Sequence, residues 1–187
     1  PPLNYPNLYN NSISNKQTNM TQVIGESVKK TNRTFVKHYT EEYAKALTKN
    51  YLDNHVRQLK INSERFSKPN DSVLGQRQDL SDYANQQLAE IENGTANLMK
   101  FGIVEGRKYY KVVQQEFETW EGSRFYGKYR DSSVAAFVDK ETGDVFKPAS
   151  WAKPAKHVRY TFQKPEHIRF LTDSKNVDWS GGHLYIR

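Results

Sequence analysis

The sequence predicts an α+β protein: an N-terminal extended arm and helical hairpin, followed by a small antiparallel β-sheet domain. Three observations lead to this. Apolar residues recur at helical spacing between Tyr43 and Ile91. After Gly106 that spacing gives way to β-prone residues, Arg107-Lys108-Tyr109-Tyr110-Lys111-Val112-Val113. Two short apolar runs, Val134–Val138 and Val145–Phe146, flank the polar turn Asp139-Lys140-Glu141-Thr142-Gly143-Asp144. The expected divisions are an arm over 1–20, a helical region over 21–101 and a β domain over 102–187.

Residues 1–20 are rich in Asn, Pro and Ser. Such a segment cannot bury enough apolar surface by itself to offset its ordering entropy. It is expected to be extended and to dock on neighbours through Leu3, Tyr5, Leu8 and Tyr9. From Met20 to His38 the pattern is mixed and predicts a loop or short helix, with a basic cluster at Lys29, Lys30, Arg33 and Lys37. The clearest helix is expected to start at Thr40 as N-cap, with Glu41 and Glu42 on the first-turn dipole. Its stripe is Tyr43, Leu47, Tyr51, Leu52, Val56 and Leu59, with His55 at its rim, and Lys68-Pro69 ends it. A second helix is expected over Asp79–Glu92, with the stripe Leu80, Tyr83, Ala84, Leu88 and Ile91 and a stop at Asn93-Gly94. A short turn over Ala96–Phe101 then leads to a domain boundary near 100–106.

In the β half, the strand beginning near Arg107 extends toward Phe117, and Trp120-Glu121-Gly122-Ser123 reads as a turn. In the following hairpin, Gly143 supplies a positive φ and Asp139 bonds the turn backbone. Pro148 and Pro154 deny the next stretch ladder hydrogen bonds, which predicts an extended basic arm over Lys147–Tyr160. The tail Val177–Arg187 predicts a turn and a last short strand.

The chain has 187 residues, 36% hydrophobic, with a net charge of +7 and a pI of about 9.4. A thin, aromatic-rich core is expected, and the charge fits either an anionic partner (nucleic acid, an acidic protein surface or anionic lipid) or simply a soluble protein with a basic face. With no cysteine there are no disulfides, no thiolate chemistry and no Cys-type zinc site. No apolar run approaches the ~20 residues of a membrane helix, so no membrane partner is expected. The first residues lack the basic and apolar regions of a signal peptide.

Catalytic patterns fail in turn. The histidines, His38, His55, His157, His167 and His183, have no zinc-ligand spacing. Asp139, Glu141 and Asp144 crowd a turn without matching a calcium loop. Ser150 lacks a nucleophile-elbow context, and Gly181-Gly182 lacks a following phosphate-binding helix. No catalytic residue, metal or cofactor is expected. Nucleic-acid contact is the chemical reading with substance. Arg107, Lys108, Lys147, Lys153, Lys156 and Arg159 can neutralise phosphates, and Trp151 and Tyr160 can stack on exposed bases. The competing reading is a basic β surface with Trp151 packed in the core and its lysines facing solvent or an acidic neighbour.

Three segments carry a resemblance. They are Gly106-Arg107-Lys108-Tyr109-Tyr110-Lys111-Val112, Phe137 to Trp151 with its Lys-Pro-Ala-Ser-Trp core, and Pro154-Ala155-Lys156-His157-Val158-Arg159-Tyr160. With the ending Asp178-Trp179-Ser180-Gly181-Gly182-His183-Leu184-Tyr185, residues 102–187 resemble small proteins of tailed bacteriophages that have no assigned activity. The resemblance implies a viral origin and no particular chemistry. The resulting expectation is a non-enzymatic structural component of a phage virion, docked onto other virion proteins in a multi-subunit assembly. The alternative is a phage nucleic-acid-binding protein in the host cytoplasm during infection, using the basic aromatic segment 147–164.

Overall fold

The computed structural model describes the backbone of residues 9–66 and 74–185 and the side chains of residues 32–65 and 80–185. The elements run α1 (Tyr9–Phe66), α2 (Leu74–Glu92), β1 (Lys100–Glu105), β2 (Tyr109–Phe117), β3 (Tyr129–Asp139), β4 (Asp144–Pro148), β5 (Pro154–Thr161), α3 (Pro165–Leu171) and a 3₁₀ turn at Gly182–Leu184. The architecture is the expected one, a helical region followed by a small antiparallel sheet, but several boundaries differ.

The first difference is the length of α1. It is one helix of 58 residues, where an arm, a loop and a helix starting at Thr40 were expected. Between Asn7 and Phe66 there is no proline and only Gly25 as a glycine, so nothing breaks the backbone ladder. Tyr9 therefore opens a helix rather than ending an extended arm, and Leu3, Tyr5 and Leu8 lie outside the described residues. Thr40 does not cap. It is fully buried in mid-helix, and its hydroxyl donates to the carbonyl of Val36 at 2.7 Å.

The helix α2 starts at Leu74, earlier than Asp79, and stops where expected. Gly94 has φ +70°, Thr95 N–H reaches Glu90 O at 2.9 Å and Gly94 N–H reaches Ile91 O at 3.2 Å. These are the paired bonds of a glycine C-terminal stop. The helix packs on α1 through small residues: Ser81 and Ala84 are buried, and Ser81 Oγ donates to Ser63 O at 3.2 Å. Leu80 and Tyr83, expected in the packing stripe, are 47% and 57% exposed.

The sheet is a meander with strand order β1-β2-β3-β4-β5, every neighbouring pair antiparallel. One face lies against α1. Val36, Tyr43, Ala44 and Leu47 of the helix join Phe101, Tyr110, Val112, Ala136, Val138 and Val145 of the sheet in a single core, which Phe162, Leu171, Val177 and Leu184 complete. Apolar residues on both sides of the boundary expected near 100–106 thus share one core. Thr48 accepts the Phe101 amide of edge strand β1 at 2.9 Å, which covers part of that edge.

The β3–β4 turn is as expected. Gly143 has φ +72°, and Asp139 Oδ1 accepts the amides of Glu141 (2.9 Å) and Thr142 (3.2 Å). The segment after it differs: Pro154–Thr161 is strand β5, not an arm outside the sheet. Val145 pairs with Tyr160, Phe146 with Val158 and Pro148 with Pro154. The prolines are tolerated because Pro154 opens an edge strand and Pro148 closes β4.

The tail also differs. Among the described residues it forms no strand. It runs under α1 as turns and the 3₁₀ element, with Val177 and Leu184 buried. Asn50 of α1 holds it at two points, donating to Ser174 O (2.8 Å) and accepting the Trp179 amide (3.0 Å). The helix α3, which periodicity did not suggest in so short a stretch, begins at Pro165, a favoured first helical residue.

Candidate nucleic-acid interface

Side chains alternate along a strand, so the register that turns Tyr110, Val138, Val145 and Tyr160 toward α1 turns their neighbours away. Those neighbours form one cross-strand row over all five strands: Val104, Lys111, Phe137, Phe146 and Val158. The row has its own packing. Phe137 is fully buried, with the Tyr109 ring at 5.8 Å and the Lys111 ammonium 5.7 Å from its centroid. At the two edges Val104 and Val158 are 37% and 47% exposed.

The β4–β5 turn places Trp151 on this outer face. Ser150 shapes the turn, its Oγ accepting the amides of Ala152 (3.3 Å) and Lys153 (3.2 Å). Lys111 Nζ donates to Trp151 O at 3.0 Å and lies 5.6 Å from the indole centroid. The indole is thereby pinned by a cation and still 48% exposed, rather than packed in the core. Lys156 is exposed on edge strand β5, and Lys153 is exposed in the turn. Neither lysine has an ion pair among the described residues.

The candidate residues therefore separate into three groups. Trp151 and Lys153 share the β4–β5 turn, and exposed Lys156 follows three residues later on β5. Arg107 and Lys108 sit at the far end of the sheet, where Lys108 pairs with Asp139 at 3.5 Å. Lys147, Arg159 and Tyr160 hold the tail instead. Lys147 Nζ lies 3.6 Å over the Tyr185 ring, Arg159 Nε donates to Leu184 O at 2.7 Å, and Tyr160 Oη donates to His183 O at 3.0 Å. The Tyr160 ring is also stacked on Phe170, 5.1 Å away, so it offers no free face like that of Trp151. Sequence reasoning placed Lys111 in a second basic set with Arg107 and Lys108, not beside Trp151, and did not single out Val158. The signal for Lys111 was the alternation in Tyr109-Tyr110-Lys111, which puts Tyr109 and Lys111 on one face once Tyr110 is assigned to the core.

Behind this face the tail holds a strongly perturbed titrating group. His183 Nδ1 accepts the Asp178 amide at 3.1 Å, so the ring proton is assigned to Nε2, which faces the buried Tyr43 hydroxyl at 2.7 Å. Burial pushes the His183 pKa down to about 4, against the opposing pull of Asp178. Burial also pushes the Tyr43 phenol up. Among the described residues no three His, Asp or Glu side chains gather as a metal site, and no helix is long and apolar enough to cross a membrane.

No curated protein matched the chain, and no solved structure did. Residues 20–186 match the model of a family of unknown function, DUF7717, and the chain belongs to that family.

Proposed function

We propose that the protein is a non-enzymatic binding protein whose outer sheet face takes single-stranded nucleic acid. The observation that carries this is the exposed indole of Trp151, fixed by Lys111, in a turn with the exposed Lys153 and followed on β5 by the exposed Lys156, neither lysine having an ion pair among the described residues. An aromatic platform with cations beside it suits an unstacked base and its phosphates, independently of sequence. The test is an anisotropy titration with labelled oligothymidylate over a range of salt. Trp151→Ala should weaken binding about tenfold. Lys153→Glu with Lys156→Glu should lower the slope of log affinity against log salt by about 1.4, at ~0.7 per phosphate contact. Wild-type affinity that ignores salt, or variants that bind like wild type, would refute the reading.

The 58-residue α1 favours a second reading. A helix of that length extends about 87 Å at 1.5 Å per residue, and its buried described residues span only Val36–Leu59. In this reading the protein is a structural subunit of a tailed-phage virion that docks on its neighbours through α1. Mass spectrometry of purified particles tests it: a fixed copy number supports it, and absence from particles rejects it.

A further inference from the structure

We propose that the cleft between the C-terminal tail and the sheet face turned toward α1 binds a small aromatic carboxylate. The inference is independent of the nucleic-acid reading, which concerns the outer face. The cleft has a volume of about 380 Å³, within the ~300–1,000 Å³ of small-molecule sites. The sheet supplies part of its lining. Gln114 continues the inward series of Tyr110 and Val112 by alternation, and Ser133 is its partner on β3. Val112 pairs with Ala136 and Val113 with Val134, so Ala135 is passed over, a bulge that bends β3 at the cleft. The tail supplies most of the rest, with Trp179, Ser180 and Tyr185 in the lining.

Contacts within the protein build the cleft. Asn50 Oδ1 accepts the Trp179 amide at 3.0 Å, the Tyr51 ring meets the indole at 5.4 Å, and Arg159 Nε donates to Leu184 O at 2.7 Å. Ser133 Oγ donates to Gln114 Oε1 at 3.2 Å and Ser180 Oγ to Asp178 Oδ1 at 2.8 Å, so both hydroxyls keep lone pairs that can accept. Lys147 is the only charged side chain of the lining. Its ammonium lies 3.6 Å over the Tyr185 ring and makes no hydrogen bond or ion pair among the described residues, which leaves its N–H donors for a ligand. Two carboxylates stand behind the lining, and both are engaged. Glu116 accepts from Gln114 Nε2 at 3.0 Å and pairs with Arg130 at 3.5 Å, and Asp178 Oδ1 accepts both the amide and the hydroxyl of Ser180. One ammonium matches the single charge of a carboxylate, whereas a phosphate calls for more donors. The Trp179 and Tyr185 rings suit a flat aromatic body in offset or edge contact.

The test is a titration of the whole chain with 1-naphthoate and with its neutral counterpart 1-naphthalenemethanol, followed by amide chemical shifts. 1-Naphthoate should saturably shift the amides of Ser133, Ala135, Ser180 and Gly181, and should bind about tenfold tighter than the alcohol. Lys147→Met should remove that preference and Lys147→Arg should retain it. Lys164→Met, which removes an exposed lysine outside the cleft, should leave it unchanged. Equal affinity for acid and alcohol in the wild type would overturn the proposal, as would the lack of a saturable shift at the cleft. Shifts scattered over the basic surface would also overturn it, because net charge alone would then attract the anion. If Lys147→Met lowers the unfolding midpoint, the wild-type comparison of acid and alcohol decides by itself.

Discussion

Acid should loosen this protein through one histidine. His183 is held neutral between the Asp178 amide at Nδ1 and the Tyr43 hydroxyl at Nε2. Protonation at Nδ1 would set an N–H against an N–H. The groups facing the ring are Tyr43 from α1, Tyr160 from β5 and Asp178 from the tail, and only Asp178 can favour a charged imidazole. The folded-state pKa, about 4, lies below the unfolded value of 6.5. The unfolded chain therefore binds the proton first as pH falls, so stability is intact above pH 6.5, declines below it and levels off below about 4. A fall from 6.5 to about 4 corresponds to a loss of about 3 kcal/mol, of which about 1.5 kcal/mol is gone by pH 5.5. The assay is urea unfolding at several pH values for wild type and His183→Asn. The variant retains an acceptor for the Asp178 amide but cannot titrate. It starts less stable, having lost the Tyr43 bond, and its stability should fall by about 3 kcal/mol less than wild type across that window. Parallel pH profiles for the two proteins would refute the reasoning.

Three further outcomes follow from the packing. Thr40→Val should leave stability unchanged or slightly raised, because the buried hydroxyl bonds only a carbonyl within its own helix; a loss of about 1 kcal/mol in urea unfolding would instead fit a capping role. Gly143→Ala should cost about 2 kcal/mol, combining the positive φ with a Cβ placed 3.1 Å from Phe162 Cβ, and Gly94→Ala should cost less because its Cβ meets nothing within 4 Å. Thermal unfolding can rank the two. Arg159→Ala should destabilise by about 2 kcal/mol through loss of the bond to Leu184 O and leave oligothymidylate affinity at the wild-type value, which separates the tail-holding cations from those beside Trp151.

The turn at Asp139–Asp144 was legible because its determinants are local: a carboxylate two and three residues before the amides it accepts, and a glycine at the one position needing positive φ. The stop at Gly94 was legible for the same reason. The start of α1 was not. Asn and Ser lower helix propensity only slightly, and without a proline or a run of glycines the helix continues through them. The prolines at 148 and 154 misled in the opposite sense, since their cost depends on whether a neighbouring strand needs their amide: Pro154 opens an edge strand, and Pro148 ends β4 beyond its last pair with β3. Within the candidate site, Trp151, Lys153 and Lys156 could be named from their spacing. Their separation from Lys147, Arg159 and Tyr160 could not, because the tail that engages those three residues comes from more than twenty residues away.

By itself the sequence determined the α+β class, with helices before a small antiparallel sheet, the central hairpin and the basic, aromatic composition, since these follow from spacing, turn chemistry and charge. Only the tertiary structure decided which face α1 covers and where the tail is tied. It thereby decided which of the basic and aromatic residues remain free to meet a ligand. The physical reason is that a side chain's partners in a sheet are set by register and by what packs on each face, and both depend on residues far apart in the chain.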